Sequence, residues 1–261
     1  MRAFSSLFQP APVVPAFADD AWWTWCGSVV RDAAGRCRLF ASRWPRKLPF
    51  FNGYLAASRI VQAVADGPLG PFKYVRDVLP TGERGRWDGT MAHNPAIVAF
   101  GGRYYLFYIG LRADEPGPAL DAPFAAWRET YRRIRIGVAV ADAIDGDFVP
   151  MARPVIDTDV APWPHVVTTN PAPVITPEGK VRVYYRTPRV EGDRVRNVLA
   201  IAEADHPLGP YRAVKREPML PASMHLEDPF VWHDGRRYQA IAKDLDGNLA
   251  GVWRRGAFAI R

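Results

Sequence analysis

The segment His225-Leu226-Glu227-Asp228-Pro229 sets two acidic residues side by side at the head of an apolar, aromatic run. Cleavage of a glycosidic bond needs two carboxyl groups flanking the scissile bond, one protonated to deliver a proton and one ionised. Glu227 suits the acid, because crowding by other carboxylates raises a carboxyl pKa. Its partner is open among Asp88 (in Trp87-Asp88-Gly89), Asp228 and Asp244. Plainer roles stand beside these. The Glu227–Asp228 pair also reads as a salt bridge to Arg or Lys, and Asp88 before Gly89 reads equally well as a turn residue.

Self-similarity shows what would position such groups. Segments 26–45, 93–110, 169–188 and 227–245 share one pattern: an apolar run, a Gly turn, a basic residue, then alternating apolar and aromatic residues. The period-two run Tyr104-Tyr105-Leu106-Phe107-Tyr108 predicts a strand. Gly35, Gly101-Gly102, Gly179 and Gly235 predict hairpin turns. A second pattern follows three of the four, as Ala63-Val64-Ala65-Asp66 to Phe72, Ala139-Val140-Ala141-Asp142 to Phe148, and Ala200-Ile201-Ala202-Glu203 to Tyr211. Four-stranded units repeating every roughly 60–75 residues are the signature of a β-propeller, an all-β fold. The fourth unit is incomplete, with room after Asp244 for one more strand pair. We read residues 1–261 as a single domain, with 1–20 an N-terminal extension and 111–133 an insertion carrying a short helix at 124–131. A segment near Pro10–Phe17 is one way to close the ring.

In a propeller the first strand of each blade lines the axis, and its start shares a face with the end of the antiparallel second strand. Taking the Pro of each hairpin as reference, and Ser28 in the first, the mouth of the axial funnel collects Gly27, Asn94, Asn170 and Asp228. The residues before them are Cys26, His93, Thr169 and Glu227. Arg43, Arg186, Lys243 and Asp244 join from the second strands, and His225 precedes the fourth. Polar groups around an apolar axis are costly unless paired or used. His93, Asn94, Asn170, His225, Arg43, Arg186, Lys243 and Asp244 are therefore the substrate-binding candidates, although Asn94 and Asn170 could equally hold loops together. Trp23, Trp25, Trp44, Trp87 and Trp163 also fall near this mouth, where aromatic faces suit the C–H faces of sugars.

Composition sets the limits. The 261 residues include 25 Pro and 21 Gly spread along the chain, and the formal charge is +7. No run of eighteen apolar residues predicts a membrane helix. The basic residues are scattered, with the densest group at Arg128, Arg132, Arg133 and Arg135, and read first as a solvated face. An acidic substrate such as a uronate or sulfated sugar is the second reading, and no nucleic-acid or phosphate-loop signature accompanies them. No metal or other cofactor is expected. Cys26 and Cys37 fall out of register for a disulfide. A cytoplasmic location is favoured, with secretion as the alternative if the small-residue pattern at Ala16-Phe17-Ala18 marks a signal peptide.

At this point a resemblance emerges. The hairpins resemble the five-bladed propeller glycosidases of the glycoside hydrolase family 43 clan, and more closely the bacterial proteins described as family 43-like or sucrase-like. It is carried by Ala41-Ser42-Arg43-Trp44-Pro45, Trp87-Asp88-Gly89 with His93-Asn94-Pro95, Thr169-Asn170-Pro171-Ala172-Pro173, and His225 to Val231 followed by Lys243-Asp244. The resemblance implies five blades, of which four repeats are visible here, and an inverting glycosidase acting on terminal sugars such as arabinofuranose or xylose. It implies an Asp base in the first blade, a second Asp that tunes pKa, and a Glu acid that maps onto Glu227. The first-blade position holds Gly27-Ser28 and the second holds Asn94, neither of them a carboxylate. A glycoside phosphorylase, with Arg43, Arg186 and Lys243 for phosphate, and a non-catalytic carbohydrate-binding propeller are the alternatives.

Overall fold

The computed structural model describes residues 15–79, 85–112, 117–161, 163, 166–191, 194–220, 224–246 and 256–260. Each predicted hairpin forms. The first sheet has β1 (Trp22–Arg31), β2 (Cys37–Pro45), β3 (Arg59–Ala65) and β4 (Lys73–Asp77), with helix α1 (Phe50–Ala57) between β2 and β3. The second has β5 (Met91–Phe100), β6 (Arg103–Leu111), β7 (Arg135–Ala141) and β8 (Val149–Pro150). The third has β9 (Thr169–Ile175), β10 (Val181–Glu191), β11 (Arg194–Ala204) and β12 (Arg212–Ala213). The fourth has β13 (Leu226–His233), β14 (Tyr238–Asp244) and β15 (Gly256–Ile260). All pair antiparallel in chain order, giving three sheets of four strands and one of three among the described residues. Four sheets are thus described, against the five blades that the resemblance implies.

The hairpin glycines Gly35, Gly101, Gly102, Gly179 and Gly235 all take positive φ, which a residue with a Cβ rarely adopts. The second repeat matches down to its turn: Gly70-Pro71 and Gly209-Pro210 are both cis. Strands β1, β5, β9 and β13 are the innermost of their sheets, and β5 packs beside β1 and β9, as does β9 beside β13. Apolar layers fill the gaps between sheets. Phe40, Ile60, Leu106, Tyr108 and Ala139 pack between the first and second. Phe107, Ile109, Ile136, Val183, Tyr185 and Ala200 pack between the second and third. Val174, Tyr184, Ile201, Val231 and Ala240 pack between the third and fourth. A sheet covered on both faces explains why β6 and β7 read as near-continuous apolar runs.

The insertion carries a 3₁₀ turn at Phe124–Trp127 that runs into helix α2 (Arg128–Tyr131), as the sequence predicts. Asn52 of α1 donates to the carbonyls of Leu120 (2.9 Å) and Ala122 (2.7 Å), which fastens the insertion to the first sheet. Of the segment proposed to close the ring, only residues 15–17 are described. There the Ala16 carbonyl accepts from the Phe72 N–H, and Phe17 packs on the core of the first sheet.

Candidate active site

One backbone irregularity builds the site four times. Each inner strand carries an extra residue near its start, between Trp25 and Gly27, His93 and Ala96, Thr169 and Ala172, and Glu227 and Phe230. In each bulge one residue takes a left-handed conformation: Cys26 (φ 50°), Asn94 (51°), Asn170 (51°) and Asp228 (50°). Asn and Asp tolerate this region better than most residues, because a short polar side chain can bond locally. The bulge turns these four side chains toward an axial cavity of about 460 Å³, lined by Thr24–Ser28, Asn94–Ile97, Asn170–Pro173 and Asp228–Val231.

The bulges correct the sequence alignment of the first sheet by one residue. Cys26, not Gly27, is the counterpart of Asn94, Asn170 and Asp228. Trp25, not Cys26, is the counterpart of His93, Thr169 and Glu227, and Ser42, not Arg43, stands where Arg186 and Lys243 stand. Arg43 consequently points to the other face of β2. It bonds Asp77 at 2.8 Å and lies between the rings of Trp22 and Tyr74, at 4.2 and 4.3 Å from their centroids.

The four bulge side chains pair with their neighbours. The Cys26 thiol donates to Asn94 Oδ1 at 2.9 Å. Asn170 Nδ2 donates to Asp228 Oδ1, while Asn170 Oδ1 accepts from the Thr169 hydroxyl at 2.9 Å. Burial, reinforced by the Glu227 charge, raises the Asp228 carboxyl above its ordinary value. Burial likewise pushes the Cys26 thiol up, helped by Asp228 and Glu227. Both cysteines are free.

Glu227 sits in the opposite setting. Oε1 is paired with Arg186 Nη1, and Oε2 lies 3.1 Å from Lys243 Nζ. Its partners are therefore cations, the salt-bridge reading that the sequence offers beside crowding by carboxylates. The Arg186 side chain is buried, and its Nη2 donates to the hydroxyl of Tyr131, delivered by α2 of the insertion. Tyr54, from α1, feels both Tyr131 and Arg186, and its burial raises its hydroxyl pKa well above the ordinary value. Tyr54 also packs on His93, with ring centroids 5.0 Å apart and planes tilted by 34°. His93 is buried, hydrogen-bonded through Nδ1 to Ser58 Oγ at 2.8 Å, and burial drives its pKa down to about 3. It is thus a neutral strut between the first and second sheets rather than a group at the mouth. Sequence reasoning missed Tyr54 and Tyr131. Nothing in the composition of the insertion singles out Tyr131.

The remaining candidates are placed elsewhere. Asp88 is 2% exposed, bonded to Arg86 (3.0 and 2.9 Å) and to the Tyr108 hydroxyl (2.6 Å), and is not part of the cavity lining. These bonds tie it to Arg86 and to β6, whereas the sequence offers it as one of three partners for Glu227. Asp244 is buried and accepts from the Asp246 N–H, and His225 bonds Asp246 at 3.3 Å, so these two shape the chain around β13. Among the five tryptophans, Trp44 and Trp163 are buried, and Trp23 and Trp87 donate to the Leu48 and Met151 carbonyls. Trp25 is 43% exposed at the mouth.

No protein-family model and no curated protein matches this chain. Solved structures do. An endo-arabinase from Bacteroides thetaiotaomicron VPI-5482 is 16% identical, with a TM-score of 0.62 over 90% of this chain and 73% of that one. Zg3597, a family 117 glycoside hydrolase of the marine bacterium Zobellia galactanivorans, is 17% identical, with a TM-score of 0.63 over 86% of this chain and 64% of that one. A thermostable family-43 glycoside hydrolase is 16% identical, with a TM-score of 0.54 over 85% of this chain and 65% of that one. The chain thus spans between 64% and 73% of the lengths of these structures. At such identities the likeness speaks for architecture alone, and that architecture is a β-propeller.

Proposed function

We propose that this chain is a glycoside hydrolase, exo-acting on terminal sugars, with Asp228 and Glu227 as its carboxylate pair. The observation that carries the proposal is the contrast between two adjacent carboxyl groups at the start of β13. Asp228 is buried toward the axis with its pKa raised, while Glu227 is ion-paired to Arg186 and Lys243. A carboxyl group whose burial favours its protonated form suits the acid role, and the ion-paired carboxylate beside it is the candidate for the base. On this reading Asp228 gives its proton to the departing glycosidic oxygen as the C–O bond breaks. Glu227 takes a proton from the water that adds to the sugar carbon. The expected roles are thereby exchanged relative to those suggested by the sequence.

Glu227→Gln should leave the fold intact and lower kcat on 4-nitrophenyl arabinofuranoside, xyloside, galactoside or glucuronide, whichever the wild type cleaves, by about 10²–10⁴-fold. Unchanged turnover would refute the assignment. A second reading, a carbohydrate-binding propeller without turnover, is favoured by one observation. Of the register-equivalent positions just before the bulges, Trp25, His93, Thr169 and Glu227, one carries a carboxylate, and both of its oxygens already face cations. Binding of glycans with no product across the same panel would select it. The phosphorylase alternative loses Arg43, which faces Asp77.

A further inference from the structure

We propose that the sector of the mouth between the first and fourth sheets is a subsite for a uronate sugar, its ring laid on Trp25 and its carboxylate on Lys243. The inference rests on the glycan reading above and names the class of sugar that the site takes. Trp25 and Lys243 come from opposite ends of the chain, yet the Lys243 ammonium lies 5.9 Å from the centroid of the Trp25 ring. Trp25 is pre-oriented. Its ring meets Phe50 of α1 edge-on, with centroids 5.3 Å apart at 79°, and Phe50 is in turn packed by Trp23 and Trp44. A rigid, half-exposed indole gives a sugar an apolar face at little ordering cost.

Lys243 supplies the charge. Its side chain is 39% exposed, and among the described residues its ammonium has one acceptor, Glu227, so N–H groups remain for a ligand. Arg186 already answers the other oxygen of Glu227, and its own Nε is buried without a partner. Two cations therefore converge on one ion-paired carboxylate. A neutral sugar adds nothing to that balance, whereas a sugar carboxylate beside Lys243 completes it. The chain's formal charge of +7 also favours approach of an acidic glycan.

The test is calorimetric titration of the full chain with methyl α-D-galacturonide and methyl β-D-glucuronide. Methyl galactoside, methyl glucoside and a 6-sulfated galactoside serve as comparison ligands. At least one uronate should bind about tenfold more tightly than its neutral counterpart, the scale of one charge-assisted hydrogen bond. Lys243→Met should erase that preference without weakening the neutral ligand, Lys243→Arg should keep it, and Trp25→Ala should weaken both. Melting curves would confirm that these exposed substitutions leave the fold intact. Equal affinity for uronate and neutral sugar, preference for the sulfated sugar, a uronate preference that survives Lys243→Met, or no binding of any of these ligands would overturn the subsite. Cleavage of a neutral glycoside that Glu227→Gln abolishes, with no uronate preference, sinks the subsite and leaves the hydrolase standing. Uronate binding without cleavage of any glycoside does the reverse.

Discussion

Replacing Arg186 by Met tests the arrangement on which the site depends. Arg186 is 8% exposed, so its bonds to Glu227 and Tyr131 form largely out of water. Met keeps most of the apolar stem and removes both bonds. The bond to Glu227 is charge-assisted and contributes about 1.5–3 kcal/mol, and the one to the tyrosine hydroxyl about 1 kcal/mol. Two features soften the loss. The Glu227 side chain is 21% exposed and keeps Lys243 at 3.1 Å, and removing a buried cation recovers part of its desolvation cost. The expected net loss is about 2–3 kcal/mol, or about 4–6 °C in Tm for a chain of this size. Urea unfolding followed by circular dichroism would measure it. The pairing makes a sharper demand on the double variant. If Arg186 and Glu227 stabilise one another, Arg186→Met combined with Glu227→Gln should cost at least about 1 kcal/mol less than the sum of the two single changes. A single-variant loss below about 0.5 kcal/mol, the range of an ordinary surface substitution, would refute the reasoning, as would strict additivity.

Other consequences follow from burial and packing. Folding raises the Asp228 carboxyl, so it supports the fold fully below the unfolded value of about 3.9 and loses that support as pH climbs through the folded value. Asp228→Asn should therefore be more stable than the wild type at pH 7, with the gap closing toward pH ~4. Melting curves across pH read this directly, and a wild type that melts higher at pH 7 contradicts it. At Gly137 an added Cβ would stand 2.2 Å from the Trp87 ring, so Gly137→Ala should cost about 1–3 kcal/mol. Gly67→Ala, where an added Cβ has nothing within 4 Å, is the control and should lie within about 0.5 kcal/mol of the wild type in the same denaturation assay.

The fold was legible because a propeller writes its pattern repeatedly. Four hairpins with a Gly turn, three of them followed by the same Ala-rich strand, recur in order, and each hairpin forms where the period-two alternation placed it. The mouth was legible only where a Pro followed the bulge. In His93-Asn94-Pro95, Thr169-Asn170-Pro171 and Glu227-Asp228-Pro229 the proline marks the register. The first sheet has Trp25-Cys26-Gly27-Ser28 instead, and without that marker the alignment slid by one residue, carrying Arg43 in place of Ser42. The place of Asp88 was illegible for a different reason. Sequence proximity to the second hairpin does not say which side of a sheet a side chain takes, and Tyr108 and Arg86 hold this one between sheets. Helix α1 left little trace, since Phe50–Ala57 lacks a side-chain N-cap and contains a mid-helix glycine. Tertiary contact explains that glycine, because a Cβ at Gly53 would stand 2.9 Å from Leu48 and 3.0 Å from Trp44.

The left-handed bulge has a consequence for how such a site can change over generations. The kink is set by the strand pairing around it, and the same φ is held by Cys, Asn and Asp. The side chain in each bulge is thus an occupant of a fixed socket rather than the cause of its shape. A single substitution at Cys26, Asn94 or Asn170 could place a carboxylate, amide or thiol on the axis without moving a strand. The scaffold in this way separates the persistence of its architecture from the chemistry it presents, and relatives with one backbone could carry different axial sets.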